Sequence, residues 1–316
     1  MKYIKKNDII SSTYHFIRNN NDQKYRNIKF FSTNLFEEQL NFFIKKFNII
    51  DSNSLLEILS QKKNKSKKPF MLLTFDDGYI DHYKYVYPLL LKKRLKGFFY
   101  PITKTIYDKN FITFTNKIHF ILARSINFDQ IFFEIENFIV KKTNLDMKNI
   151  YNKAKKIKIK QRRFDNPNSV IIKNIFNFAL PDVFKSKLVD YIFKKIITKN
   201  NTAFAKNIYL KKSHIIEMNS DKMHFGTHSN SHLWLGKNTK IKQERDIKKS
   251  IYDLQRILGK NEILSICYPF GSYNKETIQI VKKLGFLFGF SNKYGKINSN
   301  TNFNRYTIPR FDCKDF

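Results

Sequence analysis

Two adjacent carboxylates, Asp76 and Asp77, stand in the segment Thr74-Phe75-Asp76-Asp77-Gly78-Tyr79. Like charges sharing one site oppose each other's ionisation, and a bound cation removes the conflict. Gly78 lets the backbone turn, so both side chains can face one mouth instead of opposite faces of a strand. Farther along, Gly226-Thr227-His228-Ser229-Asn230-Ser231-His232 carries histidines at i and i+4. On a helical turn that spacing puts both imidazoles on one side, able to share a metal. Ser229 stands where a zincin metalloprotease has its Glu, which disfavours that class. Two histidines and one carboxylate leave coordination positions open for water, which suits catalysis better than structure. The third segment is Tyr268-Pro269-Phe270-Gly271-Ser272-Tyr273, where proline and glycine fix a tight turn whose N–H groups can serve an oxyanion. Each segment has a plainer reading by itself: an Asp-Asp-Gly turn, a solvated or core histidine pair, a structural bend.

The elements around these segments place all three at strand ends. A short strand is expected near Thr13–Ile17, followed by a polar loop and an amphipathic helix over Asn34–Phe47. A basic linker over 61–68 precedes Phe70–Phe75, an apolar run bounded by turn residues, as a buried strand is. A helix over Tyr83–Leu95, with Pro88 inside it, leads to a further strand at Gly97–Ile102. Strand, helix, strand in that order predicts a βαβ unit and a parallel sheet. The pattern resumes with a helix over Ser213–Asn219 capped by Ser213, then a strand at Lys222–Thr227. An amphipathic helix over Ile241–Leu258 follows, closed by Gly259. A second βαβ, with strands at 263–268 and Phe286–Phe290 and a helix over Asn274–Leu284, ends the series. Residues 104–210 break it: they hold no glycine and show helical spacing over Ile118–Val140 and Val183–Ile197, with a basic stretch over 153–163 between. The expected organisation is a first domain of 1–103 with 211–316 and a mostly helical insertion of 104–210.

Composition bounds the rest. The chain has 316 residues, 59 Lys and Arg against 26 Asp and Glu, and a formal net charge of +33. An apolar content of 42% with 32 Phe and 17 Tyr excludes a disordered chain despite that charge. Two cysteines, Cys267 and Cys313, are too few for a disulfide framework or a cysteine-rich metal site. The charge invites a nucleic-acid reading, but only ten of the basic residues are Arg, the residue suited to bidentate contacts. A solvated lysine-rich surface is the expectation, with no nucleic-acid partner. No apolar run reaches the ~18 residues of a membrane span. The amino terminus lacks the apolar stretch of a signal peptide, so a cytoplasmic location is expected, with peripheral membrane contact left open.

Taken in order, TFDDGY, HSNSH and YPFGSYN resemble the successive motifs of the polysaccharide deacetylases, the NodB-homology domains of carbohydrate esterase family 4. The resemblance covers about residues 70–103 and 213–312 and extends to the start of the chain. It implies a distorted (β/α) barrel, here with a large helical insertion, and a divalent metal, usually zinc. It implies a metal-dependent hydrolase that removes an acetyl group from an N-acetylated sugar of a surface polysaccharide or its precursor. Its expected partner is that acetylated glycan. Carried over by motif, Asp76 is the general base, and Asp77, His228 and His232 are the metal ligands. The Phe270 N–H helps bind the oxyanion, with Tyr268 beside it in the substrate and oxyanion motif.

Three departures accompany the resemblance. No histidine follows His232, where many members carry the acid. Tyr14-His15-Phe16 resembles the YH segment of the circularly arranged poly-N-acetylglucosamine deacetylase branch, which makes His15 the expected acid; the plain alternative is a histidine at a strand end. Cys267 occupies the place of the arginine that orients the base, and Arg310, after the last strand, can supply that charge to Asp76 from another direction; otherwise it is a surface arginine. The stretch from Asp77 to His228 is longer than compact members need, as the insertion accounts for. A catalytically degenerate glycan-binding or assembly protein on the same fold is the alternative, motivated by the missing arginine.

Overall fold

The computed structural model describes residues 4–19, 27–60, 66–124, 128–158, 165–259 and 264–316. Its strands, in chain order, are β1 (Asp8–Tyr14), β2 (Ile17–Arg18), β3 (Phe31–Ser32), β4 (Asn48–Ile49), β5 (Phe70–Asp77) and β6 (Phe98–Pro101). They continue with β7 (His224–Phe225), β8 (Ser265–Cys267), β9 (Phe288–Phe290), β10 (Ile297–Asn298) and β11 (Phe311–Asp312). The described residues fall into two compact units. One lies within Met1–Asn20, Phe30–Phe111 and Ala205–Phe316, the other within Asn21–Lys29 and Ile112–Phe204.

In the first unit the parallel strands close on themselves. β1 pairs with β5, β5 with β6 and β6 with β7, all parallel. A single parallel bridge, Thr227 to Ile266, carries the ladder from the end of β7 to β8, and β8 pairs with β9. A second bridge joins Phe290 to Ile308, three residues before β11, and β11 returns to β1 in parallel. The result is a distorted (β/α) barrel whose second half is held by strands of two or three residues. β4 fills the lower half of the β5 edge that β6 leaves open, at Phe70 and Met71.

Side-chain alternation on β5 sets the two layers of the core. Phe70 and Leu72 point inward with Phe98, Tyr100, Cys267, Phe288 and Phe290. Met71, Leu73 and Phe75 point outward against the helix over Thr33–Lys46 and its neighbours, through Phe36, Leu40 and Phe43. On the outer face Tyr14, Phe75, Phe99 and Phe225 are direct register partners on β1, β5, β6 and β7. Their rings stack in succession, with centroids 5.2, 4.7 and 5.5 Å apart. Each such cross-strand pair contributes on the order of 0.2–1 kcal/mol and makes a one-residue slip costly, because a slip would turn every ring to the wrong face. The ladder therefore fixes the register immediately before Asp76, Asp77 and His228.

Several elements depart from the sequence expectation. The first strand is Asp8–Tyr14, not Thr13–Ile17; its Ser11 and Ser12 are fully buried, and Ser12 Oγ donates to the Leu72 carbonyl, so hydroxyls stand where apolar residues were sought. The expected helix over Tyr83–Leu95 is a π-helical turn, His82–Val86, running into an α-helix at Tyr87–Lys92, with Pro88 in its first turn, where a missing N–H is tolerated. Ser213 caps nothing: the helix is Lys212–Ser220, Lys211 is its N-cap, and Ser213 lies in the first turn. The helix ends at Leu258 and is closed by Gly259 as expected, although this glycine is the C-cap itself and sits at φ 97° and ψ 167°, a positive-φ conformation open to glycine, instead of the left-handed C′ position. Most of the 61–68 linker and part of the 153–163 stretch lie outside the described residues.

The second unit is helical. Phe114–Arg124, Phe128–Lys142, Met147–Lys156 and Asp182–Ile196 are its longer helices, so the apolar run over Ile118–Val140 forms two helices instead of one. Phe120 and Phe193 both meet Phe204 edge-on in its interior. The short helix Thr103–Tyr107 belongs to the first unit, where its Thr103 N–H donates to the Ser229 carbonyl. Among the described residues no helix is long and apolar enough to cross a membrane.

Candidate active site

Asp76 and Asp77 end β5, and alternation alone would send them to opposite faces. Asp76 follows the inward phase of Leu72 and Thr74. Asp77 and Gly78 both take φ 71°, the left-handed region, and this turn brings Asp77 back to the barrel mouth. Gly78 has no alternative there, since a Cβ would lie 2.6 Å from Pro101 Cβ.

Asp77 Oδ2 accepts a 2.6 Å hydrogen bond from the Tyr79 hydroxyl. Its Oδ1 is buried without any hydrogen-bond partner, 3.4 Å from Nε2 of His228 and 3.4 Å from Nε2 of His232. The Nδ1–H of His228 donates to the Cys267 carbonyl at 2.8 Å, which leaves its Nε2 bare. Burial pushes both imidazoles down, that of His232 to about 3, so both rings are neutral at neutral pH. The two histidines do not share a helical turn as their spacing suggested. Ser229 at φ 62° and His232 at φ 59° fold the segment into a compact loop, and Ser229 Oγ accepts from the His232 N–H at 2.9 Å. The donors fit a divalent cation: three atoms bound ~2.0–2.1 Å from a tetrahedral zinc stand ~3.3 Å apart, close to the 3.4 Å from Asp77 Oδ1 to each Nε2.

Asp76 faces a different set of partners. Arg310 grips it bidentately, Nη1 to Oδ1 at 2.8 Å and Nη2 to Oδ2 at 2.8 Å. The guanidinium is itself spent on Thr74 Oγ1, the Ser291 carbonyl and Asn292 Oδ1. Cys267 Sγ lies 3.4 Å from both carboxylate oxygens, a weak donor where an arginine was expected. Burial pushes the Asp76 carboxyl up, but Arg310, with His228 and His15, outweighs it and holds the group well below the usual carboxylate range. Arg310 is thus no surface residue; it is buried and carries the compensating charge.

His15 follows β1, its side chain 48% exposed, with Nε2 4.0 Å from Asp76 Oδ2. Its carbonyl accepts a 2.8 Å bond from Nε2 of His82, a fully buried ring that burial pushes down to about 4, so neutral His82 anchors the His15 backbone. Phe270 takes φ 59° and ψ 11°, and its ring stacks on Trp234 at 4.1 Å and lies 4.5 Å from the His232 ring. Tyr268 does not join the site. Cys267 points inward to Asp76, so the next residue points outward, and the Tyr268 ring is buried with Leu235, Ile247 and Ile266. His224 bonds Ser265 Oγ at 2.6 Å among aromatic rings, apart from Asp77, His228 and His232. Tyr79 and Trp234 were missed from sequence; Tyr79 adjoins the Asp-Asp-Gly turn, and Trp234 is the single tryptophan, two residues past His232.

The closed parallel (β/α) barrel thus carries, at the carboxyl ends of its strands, an Asp-His-His trio whose donor atoms fit a cation and a second carboxylate beside it, the constellation of an enzyme site. The sequence matches the model of the family described as Polysaccharide deacetylase over residues 63–136 and 184–289, and the chain belongs to that family. It is 34% identical over 98 residues to the poly-beta-1,6-N-acetyl-D-glucosamine N-deacetylase of Staphylococcus aureus, a match covering 29% of this chain and 33% of that protein. The match thus spans about a third of the length of that relative. Among solved structures, the Streptococcus pyogenes deacetylase PplD, in complex with acetate, superposes with a TM-score of 0.58 at 18% identity, covering 96% of this chain and 92% of that one. IcaB from Ammonifex degensii gives 0.56 at 13% identity over 96% and 91%. A de-N-acetylase from Aggregatibacter actinomycetemcomitans gives 0.58 at 15% identity over 97% and 96%. These likenesses share the fold.

Proposed function

We propose that this protein is a metal-dependent deacetylase that hydrolyses the acetyl group of an N-acetylated sugar in a surface polysaccharide or its precursor. The observation that carries the reading is the Asp77 Oδ1 atom, buried, without a hydrogen-bond partner and equidistant from the Nε2 atoms of His228 and His232. A divalent cation on Asp77, His228 and His232, with zinc the best fit to these donors, would polarise the acetyl carbonyl and lower the pKa of a water beside it. Asp76, kept ionised by Arg310, accepts the proton of that water. The Phe270 N–H, on its strained turn, donates to the oxyanion that develops as water adds to the carbonyl. His15 gives a proton to the departing amine as the C–N bond breaks, so acetate and a free amino sugar leave. Family membership and the N-deacetylase named among the relatives support the substrate class. The non-catalytic alternative rested on the missing arginine, and Arg310, later in the chain than Cys267, supplies that charge to Asp76.

Acetate release from acetylated chitooligosaccharides tests the reading. Activity should vanish with a chelator and return with zinc or cobalt, and Asp77→Ala and His228→Ala should lose metal and activity together. Full activity and metal content in both variants would refute the site. His15→Gln should slow release by ~10²–10⁴ with zinc content unchanged; wild-type rates in that variant would assign the acid to another group.

A further inference from the structure

The loop carrying His228 and His232 is held from behind by one face of the helix Lys240–Leu258. Asp246, Ser250 and Asp253 are spaced i, i+4 and i+7 and so share that face, and all three are buried. Asp246 Oδ1 accepts the Asn230 N–H at 2.8 Å, and its Oδ2 accepts the Ser231 N–H at 3.1 Å and the Ser231 hydroxyl at 2.6 Å. The Asn230 amide donates to Asp253 Oδ2 at 3.2 Å and to Thr103 Oγ1 at 3.0 Å. Thr227 Oγ1 donates to Ser250 Oγ at 2.6 Å, which donates on to the Ile247 carbonyl. Every residue between the two histidines is thereby tied down, either to this helix or, for Ser229, to His232 itself. The left-handed conformations of Ser229 and His232 are of the kind that persists only where the surroundings over-determine the backbone.

We propose that Asp246 is a positioning residue for the metal site: its carboxylate presets the turn between the histidines, so that both Nε2 atoms converge on Asp77 Oδ1 before a cation arrives. The proposal rests on reading Asp77, His228 and His232 as cation ligands. An ionised carboxylate is acceptor-only and takes all three donors, whereas the amide of an asparagine would set an NH₂ group against at least one of them. A loop preset in this way gives up less freedom when the cation binds, so removing the clamp shows first as lost affinity.

The test titrates purified metal-free protein with zinc against a chromophoric chelator and records thermal melting of the same apo samples. Asp246→Asn should weaken zinc by ~10–100-fold, the range for outer partners of metal ligands. Ser231→Ala, which removes one of the three bonds, should weaken it less, with apo melting near that of the wild type. Zinc affinity unchanged in Asp246→Asn overturns the proposal. If Asp246→Asn does not fold, Ser231→Ala and Asp253→Asn decide: loss of affinity in either supports it, and wild-type affinity in both overturns it. Wild-type protein that binds zinc no better than Asp77→Ala is a separate failure, that of the metal site itself, and it removes the proposal with it.

Discussion

Asp76→Asn is expected to slow acetate release by about 10²–10⁴ while zinc uptake stays at the wild-type level. The two effects separate because Asp76 and Asp77 have different partners. Asp77 faces the imidazoles, and Asp76 faces Arg310, Thr13 and Cys267. Asparagine keeps the volume of the side chain and the ligand trio but removes the proton acceptor. Zinc content and steady-state rate measured on one preparation check the split. A rate within about tenfold of wild type would be less than the smallest contribution of a general base and would take that role from Asp76.

Arg310→Met is expected to destabilise the protein by about 3–5 kcal/mol, because it leaves a buried carboxylate with no compensating charge. The pair is 2.8 Å apart at both contacts, and both side chains are almost wholly buried, so solvent does little to screen it. The double variant Asp76→Asn/Arg310→Met should recover much of the loss, since removing both charges also removes the desolvation cost. The pH dependence has a definite sign. Asp76 is held below its unfolded value, so its pairing stabilises the folded state above the unfolded carboxyl pKa of ~3.9 and is lost as pH falls through the folded value. Without Arg310 the burial that pushes the Asp76 carboxyl up is no longer offset, so the gap between wild type and Arg310→Met should narrow steadily on acidification, beginning above the unfolded carboxyl value. Denaturant midpoints of metal-free protein at pH 7 and at acid pH measure it; a gap that widens on acidification would show that Arg310 acts through another partner.

The elements differ in how plainly the sequence announced them. β5 was legible because four consecutive apolar residues, Phe70–Leu73, lead through Thr74 and Phe75 into Asp-Asp-Gly, and the helix Lys240–Leu258 because periodicity and a terminal glycine agree. β1 was misplaced because buried serines imitate a loop in composition, while in the barrel Ser12 is tied to β5 on both sides, its hydroxyl donating to the Leu72 carbonyl and its own carbonyl accepting from the Thr74 hydroxyl. The strands of the barrel's second half are too short for any pattern, and two single bridges complete the ring. The face of Asp246, Ser250 and Asp253 was visible as spacing in an amphipathic helix, yet polar residues at buried positions carry no sign of what they bind.

By itself the sequence determined which chemistry was available: adjacent carboxylates before a glycine, two histidines four apart, and a Pro-Phe-Gly bend, all local features whose meaning depends on neighbours in the chain. Only the tertiary structure decided which of these groups meet. Asp76 and Arg310 are separated by 234 positions, and Asp76 and Cys267 by 191, and no local pattern encodes such distances. Side-chain alternation at a strand end likewise decided that Cys267 turns to the carboxylate and Tyr268 to the core, an outcome set by the register of the whole barrel rather than by either residue's own preference.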